Sequence, residues 1–281
     1  MSSGNNGKTQ ERSTDTVAGT CTQAGVSGAA ECCGEFTACG SIGAERAPAS
    51  EADLRGLELE PHGPLVGPGP GATEQVRLGD VVVEVASAGG LDCFVSAQQA
   101  GATGRVIGLR TSARHLAVAR ENALLWSARA ALPEIEFRLM DGPDLPVKSG
   151  EANAVISFGG LSGAADPGHM WREMYRVLAP AGRISVSELA LLNPSLPPDA
   201  HTPLSRVVGD VSSLRRVDEV YQLAMDAGFS DIRLNPRPEG VDAIGDRQPH
   251  AMGAVQVVLP DGRRLRDYIT LLEVQGVKWP T

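Results

Sequence analysis

The sequence predicts an α/β fold, a doubly wound and mainly parallel sheet, on three observations. Short continuous runs of β-branched and aliphatic residues recur along the chain, as strands buried on both faces require. Between them lie stretches with apolar residues at helical spacing. The connections are short and rich in glycine, so successive strands are expected to be joined by right-handed crossovers.

Residues 80–85 (DVVVEV) form the first such run and a glycine-rich turn follows. Residues 91–100 (LDCFVSAQQA) read as a helix stopped by Gly101, with Gly104 close behind. Residues 105–109 (RVIGL) are a strand, 112–130 a long helix capped by Ser112, and 134–139 (EIEFRL) a third strand. Residues 152–158 (ANAVISF) are the fourth strand, 169–178 a helix that Pro180, Ala181 and Gly182 stop, and 183–191 the fifth strand. A helix over 214–228 and a strand over 231–235 complete the alternation. Residues 254–259 and 267–274, joined through Asp261-Gly262, are expected to form a hairpin or paired extension packed beside the sheet.

Composition bounds the function. The chain has 281 residues, 42% hydrophobic and 21% charged, with no apolar run of membrane-spanning length. A formal net charge of −9 without a block of Lys and Arg opposes a phosphate backbone, so neither nucleic acid nor membrane is an expected partner. Residues 1–50 are poor in Ile, Leu, Val and Phe and are expected to be a disordered tail. Residues 51–75 read as a lead segment, 76–236 as the core and 237–281 as a C-terminal β extension. No basic start followed by an apolar run marks a secretory signal, and a cytoplasmic protein is expected. Four of the five cysteines lie in the tail. Cys32, Cys33 and Cys39 are candidates to capture a soft metalloid, and an idle thiol cluster is the equal alternative. The five histidines share no ligand spacing, so no metal site is expected.

Ligands of such sheets bind at the carboxyl ends of the strands, which singles out four loops. The first runs from Glu84 through Ala86, Ser87, Ala88 and Gly90, where small residues admit a ligand to the backbone and a helix start offers free N–H groups. The second is Arg110, Thr111 and Ser112, the third holds Asp141, and the fourth starts at Phe158.

The segments GDVVVEVASAGGLDCFVSA, GRVIGL, IEFRLMDGPDLPV, ANAVIS and WREMYRVLAPAGRISVSEL resemble the class I S-adenosylmethionine-dependent methyltransferases, of Rossmann-like type. Within them, GLDCF and the tail's ECCGEFTACGSIG resemble the arsenite methyltransferases. The resemblance implies S-adenosylmethionine as cofactor, held by Glu84, Ala86, Ser87, Ala88, Gly90, Arg110, Thr111, Asp141 and Phe158. The departures are specific. Ala86 and Ala88 stand where the family has glycine, and Arg110 where it has the acid that accepts both ribose hydroxyls. Arginine has donors only, so Arg110 reverses that contact and, beside the Ser112 helix start, is expected to favour an anion. An arginine there can also mark NADP, but the first loop lacks G-x-G-x-x-G. The domain cysteines that hold arsenite in the family are absent from 66–72, 157–163 and 207–213.

Three readings stay open. One is methyl transfer to a small organic molecule in a biosynthetic pathway. Another is a non-methylating member of the fold that catalyses a different reaction, such as ring closure, or serves as a partner subunit. Arsenite methylation comes last. A small-molecule substrate is expected, with a protein partner or homodimer open. Glu188, Asp210 and Asp218 are candidate bases whose commoner reading by far is as solvated surface carboxylates, and Cys93 reads as a small buried side chain.

Overall fold

A computed structural model describes residues 75–85, 90–127, 133–159, 161, 164–192, 196–208, 210–242, 256 and 258–280. The tail 1–50, with Cys32, Cys33 and Cys39, and nearly all of the lead segment lie outside the described residues.

The strands are β1 (Val81–Val85), β2 (Arg105–Arg110), β3 (Glu134–Leu139), β4 (Ala152–Phe158), β5 (Leu178–Leu191), β6 (Arg215–Arg216), β7 (Ser230–Arg237) and β8 (Ile269–Val277). The helices are α1 (Leu91–Ala100), α2 (Ala113–Ser127), α3 (Pro167–Val177), α4 (Pro198–Val208) and α5 (Val217–Asp226). The sheet runs β3-β2-β1-β4-β5-β8-β7, with β6 pairing β5 as well. β1 to β6 pair in parallel, and β8 is antiparallel to both β5 and β7. Strand order reverses between β1 and β4, which places the expected ligand crevice above their carboxyl ends.

Burial explains the layering. Val83, Val85, Ile107, Val155, Ile184 and Val186 pack with Trp171, Met174 and Phe229 in one cluster. Val82, Val106, Ala154 and Ile156 pack with Phe94, Ala97, Trp126 and Phe137 in another. Residues two apart on one strand thus share a cluster, and alternate ones divide between the two faces. Removing such surface from water is worth roughly 25 cal/mol per Å².

The C-terminal segment departs from expectation. β8 is an interior strand between β5 and β7. The reason is its burial: six of its first six residues, Ile269 to Val274, are buried, so both faces need cover and both edges need partners. The Asp261-Gly262 turn does form, with Gly262 at φ 81 and a bridge between Val258 and Arg264. Helix α4, with Pro203 inside it, has no counterpart in the sequence reading.

Candidate functional site

Two strands aim two charges at each other. β1 alternates so that Val83 and Val85 join the α3 side, while Val82 and Glu84 face α1. Glu84 lies opposite Gly108 of β2, and Arg110 is two residues further on the same face. Arg110 Nη1 donates to Glu84 Oε2 at 2.7 Å and to the Leu109 carbonyl at 2.7 Å. From α1, Cys93 Sγ donates to Glu84 Oε2 at 3.3 Å, and Arg110 Nη2 reaches Cys93 Sγ at 3.5 Å. The guanidinium carbon lies 5.0 Å from the centre of the Phe137 ring. The two charged side chains are 1% and 0% exposed.

Chemistry follows from this enclosure. Burial opposes the charge on Arg110, but the attraction of Glu84, then of Cys93, and the bonds to both hold its pKa above that of a free arginine. Burial, reinforced by Glu84, pushes the Cys93 thiol well up, so it is a neutral thiol and no nucleophile.

The expected anion site at Arg110 is therefore corrected. Ser112 does start α2, accepting from His115 N at 3.1 Å, but the guanidinium turns inward and its charge is met by Glu84. Gly90, at φ 84, caps α1, and a Cβ on it would stand 3.0 Å from the edge of the Phe137 ring. Phe158 is buried at the end of β4, whereas Thr111 and Asp141 are exposed. Ala86, Ser87 and Ala88 lie outside the described residues. Of the expected site residues, the structure brings together Glu84, Gly90 and Arg110 around Phe137, a partner that its place in β3 hid from the sequence reading.

The other candidates separate cleanly. Asp210 caps a short turn through Ser212, and Asp218 pairs with Arg216 at the surface. Glu188 is buried in β5. Asp144, His169 and Glu173 place one ligand atom each within 4.8 Å of one another, a grouping concealed by the 25-position separation of Asp144 from His169. The Glu173 carboxylate is already taken, by Arg176 at 2.6 Å through two nitrogens and by Leu145 N at 2.8 Å. The trio reads as an ion-pair brace for the 144–148 loop.

The resemblance implies S-adenosylmethionine, and Arg110 is the described residue that departs from it. The position that would accept its ribose hydroxyls holds a side chain with donors alone, turned inward and neutralised within the protein.

Residues 78–228 match the model of a family described as Methyltransferase domain. The chain belongs to the class I methyltransferase family. It is 30% identical over 224 residues to an arsenite methyltransferase of Halobacterium salinarum, spanning 79% of this chain and 55% of that one. The chain covers about half the length of the curated relatives it matches. Among solved structures it resembles phosphoethanolamine N-methyltransferase 2 of Haemonchus contortus in complex with S-adenosyl-L-methionine, with TM-score 0.58 and 14% identity over 73% of this chain and 50% of that one. It also resembles the cyclase SpnF, with TM-score 0.55 and 18% identity over 74% and 78%. These two likenesses bear on the fold alone. Among the described residues, no helix is long and apolar enough to cross a membrane.

Proposed function

We propose that this member of the methyltransferase family acts on a small organic molecule at the carboxyl edge of the sheet without S-adenosylmethionine as methyl donor. The observation that carries this is the sealed Glu84–Arg110 pair. Arg110 stands where the ribose-accepting acid of the family would be, and opening its pair with Glu84 would leave a charge buried without its counterion. The reaction class that suits such a site is rearrangement or ring closure driven by proton transfer and positioning, which need no second substrate. The likeness to SpnF, a cyclase, supports a fold able to host that chemistry, since fold does not fix function.

Methyl transfer remains the second reading, favoured by the family match and by Asp141 in the third loop. Arsenite methylation has the weakest support. Among the described residues Cys93 is the free cysteine, and its sulfur is enclosed by Glu84 and Arg110. Native mass spectrometry of the purified chain, with S-adenosylmethionine and S-adenosylhomocysteine added, tests the proposal. The apo mass alone supports it; a stoichiometric adduct with either compound supports methyl transfer.

A further inference from the structure

Four buried carboxylates among the described residues are held by arginines. Glu84 is held by Arg110, Glu173 by Arg176, Glu273 by Arg237, and Asp80 by Arg183. Glu188 is the buried glutamate among the described residues that has no such partner: it is 5% exposed and takes part in no hydrogen bond or ion pair with them. Leaving a carboxyl this way costs stability that pairing or an apolar residue would return. Such a cost is kept where the group has work to do.

Its place in the sheet is distinctive too. β4 follows β5 as far as Phe158 opposite Ser187, and β6 takes up the same edge at Ala190 opposite Arg215. Glu188 sits in the notch between the two, one residue past the end of β4, at the carboxyl edge where open α/β sheets bind ligands. On its other side β8 sets Leu272 directly across. Its face neighbours along β5, Val186 and Ala190, are apolar and buried. Arg215 on β6 is the charged group that acts on it, and that guanidinium is engaged with the Ser212 carbonyl at 3.1 Å.

We propose that Glu188 is the general acid–base group of the carboxyl-edge site, exchanging a proton with a small, largely apolar substrate bound in the notch between β4 and β6. The proposal deepens the function read above and rests on it. The carboxylate takes a proton from an acidic C–H or O–H of the substrate, and the resulting neutral acid returns it to another atom of the same molecule. The residue ends unchanged and no co-reactant is consumed. Burial raises its pKa to about 7, against a smaller opposing pull from Arg215, so both forms are available near neutral pH.

Because the substrate is unidentified, the probe is dicyclohexylcarbodiimide, an apolar molecule that reacts with neutral carboxyls. The carboxyl proton passes to a carbodiimide nitrogen and the oxygen bonds to its central carbon. The O-acylisourea then rearranges to a stable N-acylurea, located by peptide mass mapping. The full chain at pH 6 is expected to carry one dominant adduct, at Glu188, with labelling falling roughly tenfold per pH unit above the midpoint near 7. Glu188→Gln, shown folded by circular dichroism, should lose it. Absence of label at Glu188 in the folded protein, with label appearing only in urea, would overturn the proposal, as would equal labelling of many carboxyls or no pH dependence. The labelling involves no S-adenosylmethionine, so a cofactor that does bind would overturn the preceding reading and leave this result to stand separately.

Discussion

Glu84 and Arg110 come from adjacent strands, 26 positions apart, and meet at 2.7 Å with neither side chain open to water. Each is the other's counterion, because desolvating two charges is tolerable only where they meet. Arg110→Met should destabilise the protein by about 3 to 5 kcal/mol, since Glu84 is then buried alone. Combining it with Glu84→Leu should recover most of the loss. Urea unfolding of both variants checks this. A single variant as stable as wild type would show that Glu84 finds water once Arg110 is gone.

The pH dependence of stability isolates Glu188. Its folded pKa is raised from 4.5 to about 7, so the stability it contributes is present below 4.5 and lost as pH rises through 7. Relative to wild type, Glu188→Gln should gain about 3 kcal/mol between pH 4.5 and pH 8. Chemical denaturation at the two pH values measures it; a difference that does not change with pH would contradict the burial.

Much of the fold was legible in the sequence. β3 and β4 fall on the expected residues and β1 and β2 within one, because a parallel strand buried on both faces writes itself as a short unbroken apolar run. The apolar run of β8 was equally visible. Its partners were not, since β5 lies some 80 positions away and only burial on both faces forces Ile269–Val277 into the sheet. Helix α4 was hidden by its prolines. At the site, the identity of Arg110 was legible and its direction was not. That direction depends on Glu84, Cys93 and Phe137 converging from three other elements. Likewise, the solitude of Glu188 is a property of its surroundings that no local pattern records.

Gly108 supplies the room that this convergence needs. A Cβ there would stand 2.6 Å from Cys93 Sγ and 2.7 Å from the Phe137 ring. Gly108→Ala should cost about 1 to 3 kcal/mol through forced displacement of those neighbours. Adding Phe137→Leu should relieve part of the strain, which thermal unfolding of the double variant would reveal as less than additive destabilisation.

Asp144, His169 and Glu173 should not behave as a metal centre. Bonds from Arg176, opposed by burial and joined by Leu145 N, lower the Glu173 pKa. Its contribution is therefore present above the ordinary glutamate range and lost as pH falls. Zinc ions added in modest excess should leave the melting temperature unchanged, whereas Glu173→Gln should cost about 1 to 3 kcal/mol at neutral pH. Stabilisation by zinc that disappears in His169→Ala would show that the metal displaces Arg176.

Isothermal titration of the wild-type chain with S-adenosylmethionine is the most direct test of the account. With Arg110 sealed against Glu84 and carrying donors only, the titration should show no saturable heat up to millimolar ligand. Saturable one-to-one binding in the micromolar range would contradict it, because the cofactor would then have to open the pair or bind without the ribose acceptor that Arg110 replaces.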